Sequence, residues 1–94
     1  MIKYKIERTS RFKRDFMLIQ KRGYDVKLLE EVVLLLAKGE QLPAKYRDHA
    51  LKGNYKDLRE CHVTSDWLLV YEIDYDKLYL YLTRTGTHSD LLEK

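Results

Sequence analysis

Two runs decide how this chain folds: Trp67-Leu68-Leu69-Val70-Tyr71-Glu72-Ile73-Asp74, and Lys77-Leu78-Tyr79-Leu80-Tyr81-Leu82-Thr83-Arg84, with Tyr75-Asp76 between them. Both are rich in Leu, Val, Ile and Tyr, residues that fit a pleated, half-buried surface. Such runs separated by so short a polar step predict adjacent antiparallel strands joined by a tight turn at Tyr75-Asp76. Immediately upstream, Tyr55–Val63 is a third strand candidate. Residues 39–54 hold the only proline, Pro43, and two of the four glycines, and they show no period. They predict a loop.

Before that loop the period changes from two to three or four. Val26, Leu29, Val33 and Leu36, broadened by Leu28, Val32 and Leu35, form the inner stripe of a helix from about Asp25 to Lys38, closed by Gly39. Phe12, Phe16 and Ile19 recur at helical spacing in an earlier segment that ends at Gly23. Thr9 or Ser10 can cap it, because either hydroxyl can take up a free backbone N–H. A turn this short predicts an antiparallel helical hairpin. Residues 2–7 alternate like a strand, with Ile2, Tyr4 and Ile6 on one face. After the last strand, His88–Lys94 reads as a short helical turn or an irregular tail. The order β-α-α-β-β-β predicts an α+β fold, a helical hairpin on one face of a mostly antiparallel sheet. With no repeat or linker, residues 1–94 read as one domain.

Composition narrows the function classes. An apolar share of 45% beside a charged share of 35% describes a folded domain, not a disordered one. No apolar run approaches the roughly 20 residues of a membrane helix, and the N-terminus lacks a secretory signal. The single cysteine cannot form an internal disulfide, so a cytoplasmic protein is expected. The net charge of +3 is unevenly spread: residues 1–22 carry eight Lys/Arg against two acids, Glu7 and Asp15. A basic N-terminal third fits either an anionic partner or a helix with a solvated basic face.

The chain has three histidines, each in a compact polar cluster: His49 after Asp48, His62 in Arg59-Glu60-Cys61-His62, and His88 after Arg84-Thr85-Gly86-Thr87. Histidine alone has an unperturbed pKa, roughly 6.5, suited to giving or taking a proton near neutrality. Strand parity puts Leu58, Glu60 and His62 on one face and Arg59, Cys61 and Val63 on the other. Asp66, across a turn, can approach His62. Singly, each histidine reads as a solvated or hydrogen-bonded side chain; their coincidence with Glu60, Asp66 and Arg84 points to a joint site on one concave face. Metal ligands at close paired spacing are absent, because adjacent Cys61 and His62 point to opposite faces. Cys61 reads as a buried thiol. Most of the eight tyrosines read as sheet packing, and isolated Gly53 and Gly86 do not make a phosphate cradle.

Three runs in this order, Tyr46-Arg47-Asp48-His49-Ala50-Leu51-Lys52-Gly53, then Arg59-Glu60-Cys61-His62-Val63 with Asp66-Trp67, then Arg84-Thr85-Gly86-Thr87-His88-Ser89, resemble the YafQ-like branch of the RelE toxin superfamily. The resemblance spans essentially the whole chain. It implies a RelE-like fold and the toxin of a bacterial type II toxin–antitoxin pair. Such toxins cleave messenger RNA, typically in the ribosomal A site, and need no metal or other cofactor. The family's catalytic positions fall on His49, His62, Asp66 and His88. A strand acid that is usually Asp is Glu60 here. The aromatic position four residues after the last histidine is Leu92, which cannot stack on a base.

The residues permit that chemistry. In metal-free cleavage the 2′-hydroxyl attacks the adjacent phosphorus, a base removes its proton and an acid protonates the departing 5′-oxygen. His88 fits the acid role and Asp66 or His62 the base role, while His49, Arg84, Lys52 and Lys56 could hold the phosphate. The basic first helix has two natural partners, ribosomal RNA or an acidic antitoxin segment. The resemblance further implies a hetero-oligomeric toxin–antitoxin complex that binds operator DNA through the antitoxin. Three alternatives stay open: a non-catalytic RNA- or ribosome-binding module, a ParE-like toxin that inhibits gyrase, and a structural partner whose role lies entirely in binding a cognate protein.

Overall fold

The computed structural model describes residues 1–53 and 57–92, the last without its side chain. Strand β1 (Lys5–Arg8) leads into helices α1 (Ser10–Lys21) and α2 (Val26–Ala37). A 3-10 turn, Ala44–Tyr46, and a two-residue strand β2 (His49–Ala50) follow. Then come β3 (Arg59–Thr64), β4 (Trp67–Asp74), β5 (Tyr79–Gly86) and the short helix α3 (His88–Leu92). The five strands form one sheet in the order β1-β5-β4-β3-β2. Among the described residues β1 pairs β5 in parallel and the other pairs are antiparallel. This is the expected α+β architecture, and among the described residues no helix is long and apolar enough to cross a membrane.

The caps explain the helix boundaries. Thr9 Oγ1 accepts from Phe12 N at 3.0 Å and donates to Thr83 O at 2.9 Å, so the cap of α1 also ties it to β5. Asp25 caps α2 by accepting from Lys27 N at 3.0 Å. Gly39, with φ of 79°, follows the end of α2 in the left-handed region that glycine enters without steric cost. Both helices send apolar side chains into one core. Phe12 and Ile19 from α1, and Leu29, Val32 and Leu36 from α2, meet Cys61, Trp67, Leu69, Tyr71, Leu80 and Leu82 of the sheet. Fully burying one such side chain stabilises the fold by about 1.5–3 kcal/mol.

Several sequence expectations shift. The buried stripe of α2 runs through Leu29, Val32 and Leu36, whereas Val26 and Val33 are half-buried and Leu28 is exposed. In a helix so rich in Leu and Val, the sequence periodicity does not choose between neighbouring stripes; the sheet does. Of the expected first-strand face only Tyr4 is buried: the strand begins at Lys5, so Ile2 and Tyr4 precede it, and Ile6 is exposed on β1, an edge strand. The β4–β5 turn spans Tyr75–Leu78 rather than Tyr75-Asp76. Asp74 Oδ1 accepts from both Asp76 N and Lys77 N at 3.0 Å, which widens the turn, and Leu78 closes it at φ of 61°. The expected loop also contains β2, and that addition matters for the site.

Candidate active site

Register places most of the predicted residues on one face. His49 pairs with Glu60, Glu60 with Val70, and Val70 with Arg84, so these four positions form a row across β2, β3, β4 and β5. The next row holds His62, Leu68 and Gly86. The opposite face carries Cys61, Leu69 and Tyr71 into the core beneath the helices. The parity expected for β3 is therefore observed, with Glu60 and His62 on the face opposite Cys61 and Val63.

His88 opens α3, and its Nδ1 lies 2.5 Å from Asp66 Oδ1. Asp66 sits in the two-residue turn between β3 and β4, and the same oxygen accepts the backbone N–H of His88 at 3.1 Å. These donors, the imidazole first, hold the Asp66 carboxyl below its ordinary value. A carboxylate occupied in this way orients the imidazole and leaves Nε2 of His88 free to exchange a proton. The His62 ring lies beside it, with centroids 5.6 Å apart and planes tilted by 57°. Among the described residues His62 Nδ1 is buried without a hydrogen-bond partner. His62, Asp66 and His88 thus converge, although Asp66 partners His88 directly.

His49 makes a second pair. Its Nδ1 is 2.8 Å from Arg47 O and its Nε2 is 3.3 Å from Glu60 Oε1. Glu60 accordingly partners His49, not His62 two residues along its own strand. Arg47 presents that carbonyl from a left-handed conformation, φ 50°. Arg84 lies in the same row, but its guanidinium is engaged: Nε donates to Asp15 Oδ2 at 2.7 Å and Nη2 to Asp15 Oδ1 at 3.3 Å. Lys52 is exposed. Lys56 and the side chain of Leu92 lie outside the described residues.

Beside His62 a cleft of about 330 Å³ opens between α2, the 3-10 turn and the end of β3. Its walls include Lys45, Arg47, Thr64 and Ser65, with Glu31 opposite. Two cations and two hydroxyls suit a polar, anionic ligand better than an apolar one. Among the described residues no group of three or more His, Cys, Asp or Glu side chains is placed to hold a metal ion. Cys61 is buried, and desolvation first, with Asp48 and Glu60 adding to it, pushes its thiol up to about 12. It is no nucleophile at neutral pH.

Sequence reading missed three supporting side chains. Asp48 accepts from Tyr71 Oη at 2.5 Å and from Arg59 Nη2 at 3.0 Å, which pins the loop just before His49 to β3 and β4. Asp15 and Arg22 of α1 reach the other end of the site through Arg84 and Asp90. Asp48 stands inside a quoted motif and could have been singled out. Asp15 and Arg22 carried no signal, because their partners lie 69 and 68 positions away.

Residues 4–93 match the family described as "Bacterial toxin of type II toxin-antitoxin system, YafQ". The chain belongs to the YafQ family. A YafQ relative from Escherichia coli K12, named an mRNA interferase toxin, is 42% identical over 92 residues, covering 97% of this chain and 98% of that protein. The toxin in the crystallised E. coli DinJ–YafQ toxin–antitoxin complex superposes with a TM-score of 0.87 at 41% identity, covering 96% of this chain and 98% of that one. A metal-bound toxin from Helicobacter pylori gives a TM-score of 0.88 at 46% identity, covering 97% and 99%. YafQ membership accounts for the fold.

Proposed function

We propose that this chain is the toxin of a type II toxin–antitoxin pair and an endoribonuclease that cleaves messenger RNA on the ribosome. The observation that carries the reading is the Asp66–His88 pair, 2.5 Å apart, with the His62 ring beside it. Protonated His88, oriented through Nδ1, is suited to donate from Nε2 to the departing 5′-oxygen. Asp66 is committed to His88 by two hydrogen bonds and has a lowered affinity for protons. That leaves His62 as the better base for the 2′-hydroxyl proton. The O2′–P bond forms, the P–O5′ bond breaks, and the products are a 2′,3′-cyclic phosphate, or the 3′-phosphate it hydrolyses to, and a 5′-hydroxyl.

Charge on the phosphorane needs cations. Asp15 occupies two N–H groups of Arg84; a guanidinium has five donors, so the others can face a phosphate. His49, when protonated, and Lys52 add to that field. The cleft beside His62 offers Lys45 and Arg47 for the neighbouring RNA backbone. The partner implied by the DinJ complex of the E. coli relative is a cognate antitoxin, through which the complex would bind operator DNA.

Primer extension on a defined message in a purified translation system tests this, with the wild type and a His62→Ala/His88→Ala variant. Cuts that require ribosomes and vanish in the variant are expected, since each positioned acid–base group contributes about 10²–10⁴-fold. Translation arrest without cleavage, unchanged by the substitutions, would refute the nuclease reading in favour of a binding module. Gyrase-dependent DNA breaks would favour the ParE-like alternative.

A further inference from the structure

His88 stands on α3, which is only five residues long. A helix this short does not hold its shape in water by itself. Polar tethers hold it instead. Thr87 and Asp90 cap each other: Thr87 N donates to Asp90 Oδ2 at 2.9 Å, and Asp90 N donates to Thr87 Oγ1 at 3.2 Å. Asp90 also receives a two-pronged bond from Arg22, with Nη1 to Oδ2 at 2.7 Å and Nη2 to Oδ1 at 3.1 Å. Such forked pairs fix direction as well as distance. Gly86 allows the close approach, because a Cβ there would lie 2.9 Å from Asp90 Cβ.

Arg22 in turn projects from a fixed base. It is the C-cap of α1, and seven residues earlier Asp15 accepts from Arg84 Nε at 2.7 Å and from Thr85 N at 3.1 Å. Two helical turns separate Asp15 from Arg22, so both lie along one side of α1. The helix therefore grips the segment 84–90 at two points, one on either side of Gly86.

We propose that Arg22 is a positioning residue: through Asp90 it sets the angle at which α3 leaves β5, and so holds His88 against Asp66. The catalytic consequence rests on the nuclease reading above; the positioning itself does not.

The experiment is a carbon-detected NMR titration of the Asp66 carboxyl in the full chain, for the wild type, Arg22→Gln, Arg22→Lys and Asp90→Asn, paired with cleavage kinetics on ribosome-bound message. Loosening α3 removes the His88 donors, so the Asp66 midpoint should rise towards the ordinary carboxylate value in Arg22→Gln and in Asp90→Asn, with a smaller rise in Arg22→Lys. Asp90→Asn is decisive. The charges facing Asp66 are His88 and Asp90, and deleting a neighbouring negative charge would by itself lower the midpoint. A rise therefore reports lost hydrogen bonds rather than lost charge. Cleavage should slow about tenfold in kcat, with KM within about twofold. The pair is partly exposed, so every variant is expected to stay folded. A falling or unchanged Asp66 midpoint in folded Asp90→Asn would overturn the proposal and reduce the Arg22–Asp90 pair to a surface ion pair. If the wild type cuts no message, the nuclease reading fails while the titration still decides the positioning role.

Discussion

Thr85→Val removes one hydroxyl and keeps the shape of the side chain, yet it should be among the costlier single changes in the sheet. Thr85 is 1% exposed and sits between Arg84 and Gly86 on β5. Its Oγ1 accepts from Trp67 Nε1 at 2.9 Å and donates to Leu68 O at 2.7 Å. Trp67 is itself 1% exposed, so no water can replace the lost acceptor. A buried donor left unsatisfied costs about 1–3 kcal/mol, and the weakened Leu68 carbonyl adds about 1. The sum, about 2–4 kcal/mol, is a large part of the 5–15 kcal/mol typical of a domain. For a chain of this size it corresponds to a fall in Tm of roughly 10–20 °C. Urea unfolding followed by Trp67 fluorescence measures it, with the midpoint dropping and the slope unchanged. Thr85→Ser keeps the hydroxyl, gives up one methyl and should cost only about 1 kcal/mol. If Thr85→Val lies within about 0.5 kcal/mol of the wild type, the indole N–H is not held as described and the reasoning fails.

Two further outcomes follow from the charge arrangement. Arg22 first, and then the Thr87 N–H and hydroxyl, hold the Asp90 carboxyl well below its ordinary range. The stability gained is present above the unfolded carboxylate value, about 3.9, and is lost as pH falls through the lower folded value. The Tm difference between wild type and Arg22→Gln should therefore be seen at pH 6–7 and shrink below about pH 4. A difference that grows on acidification would contradict this assignment. Lys45→Gln and Arg47→Gln should each weaken binding of a single-stranded RNA oligonucleotide and lower the slope of log K against log salt by about 0.7. An unchanged slope in both would remove the cleft beside His62 from the RNA path.

Local chemistry made much of this protein legible in one dimension. The Leu-, Val- and Tyr-rich runs through Trp67–Tyr71 and Tyr79–Leu82, the cap at Thr9, and Gly23 and Gly39 after the helices all act within a few residues, where composition and backbone preference are strongest. Strand parity likewise set His62 and Glu60 apart from Cys61. The pairings between elements were not legible in that way. Glu60 faces His49 because the loop contributes a two-residue strand that docks on β3. Asp66 faces His88 because α3 folds back across the β3–β4 turn. Arg84 and Asp90 are gripped by α1 because the helices pack beneath β5. A charged side chain in a sequence reads as solvated wherever it stands, and its partner is whichever opposite charge the packed core brings within about 3 Å. Residue type and local order are enough to show which side chains could do acid–base chemistry; which of them hold one another depends on the packed fold, because those pairs form when distant segments bury a common apolar face.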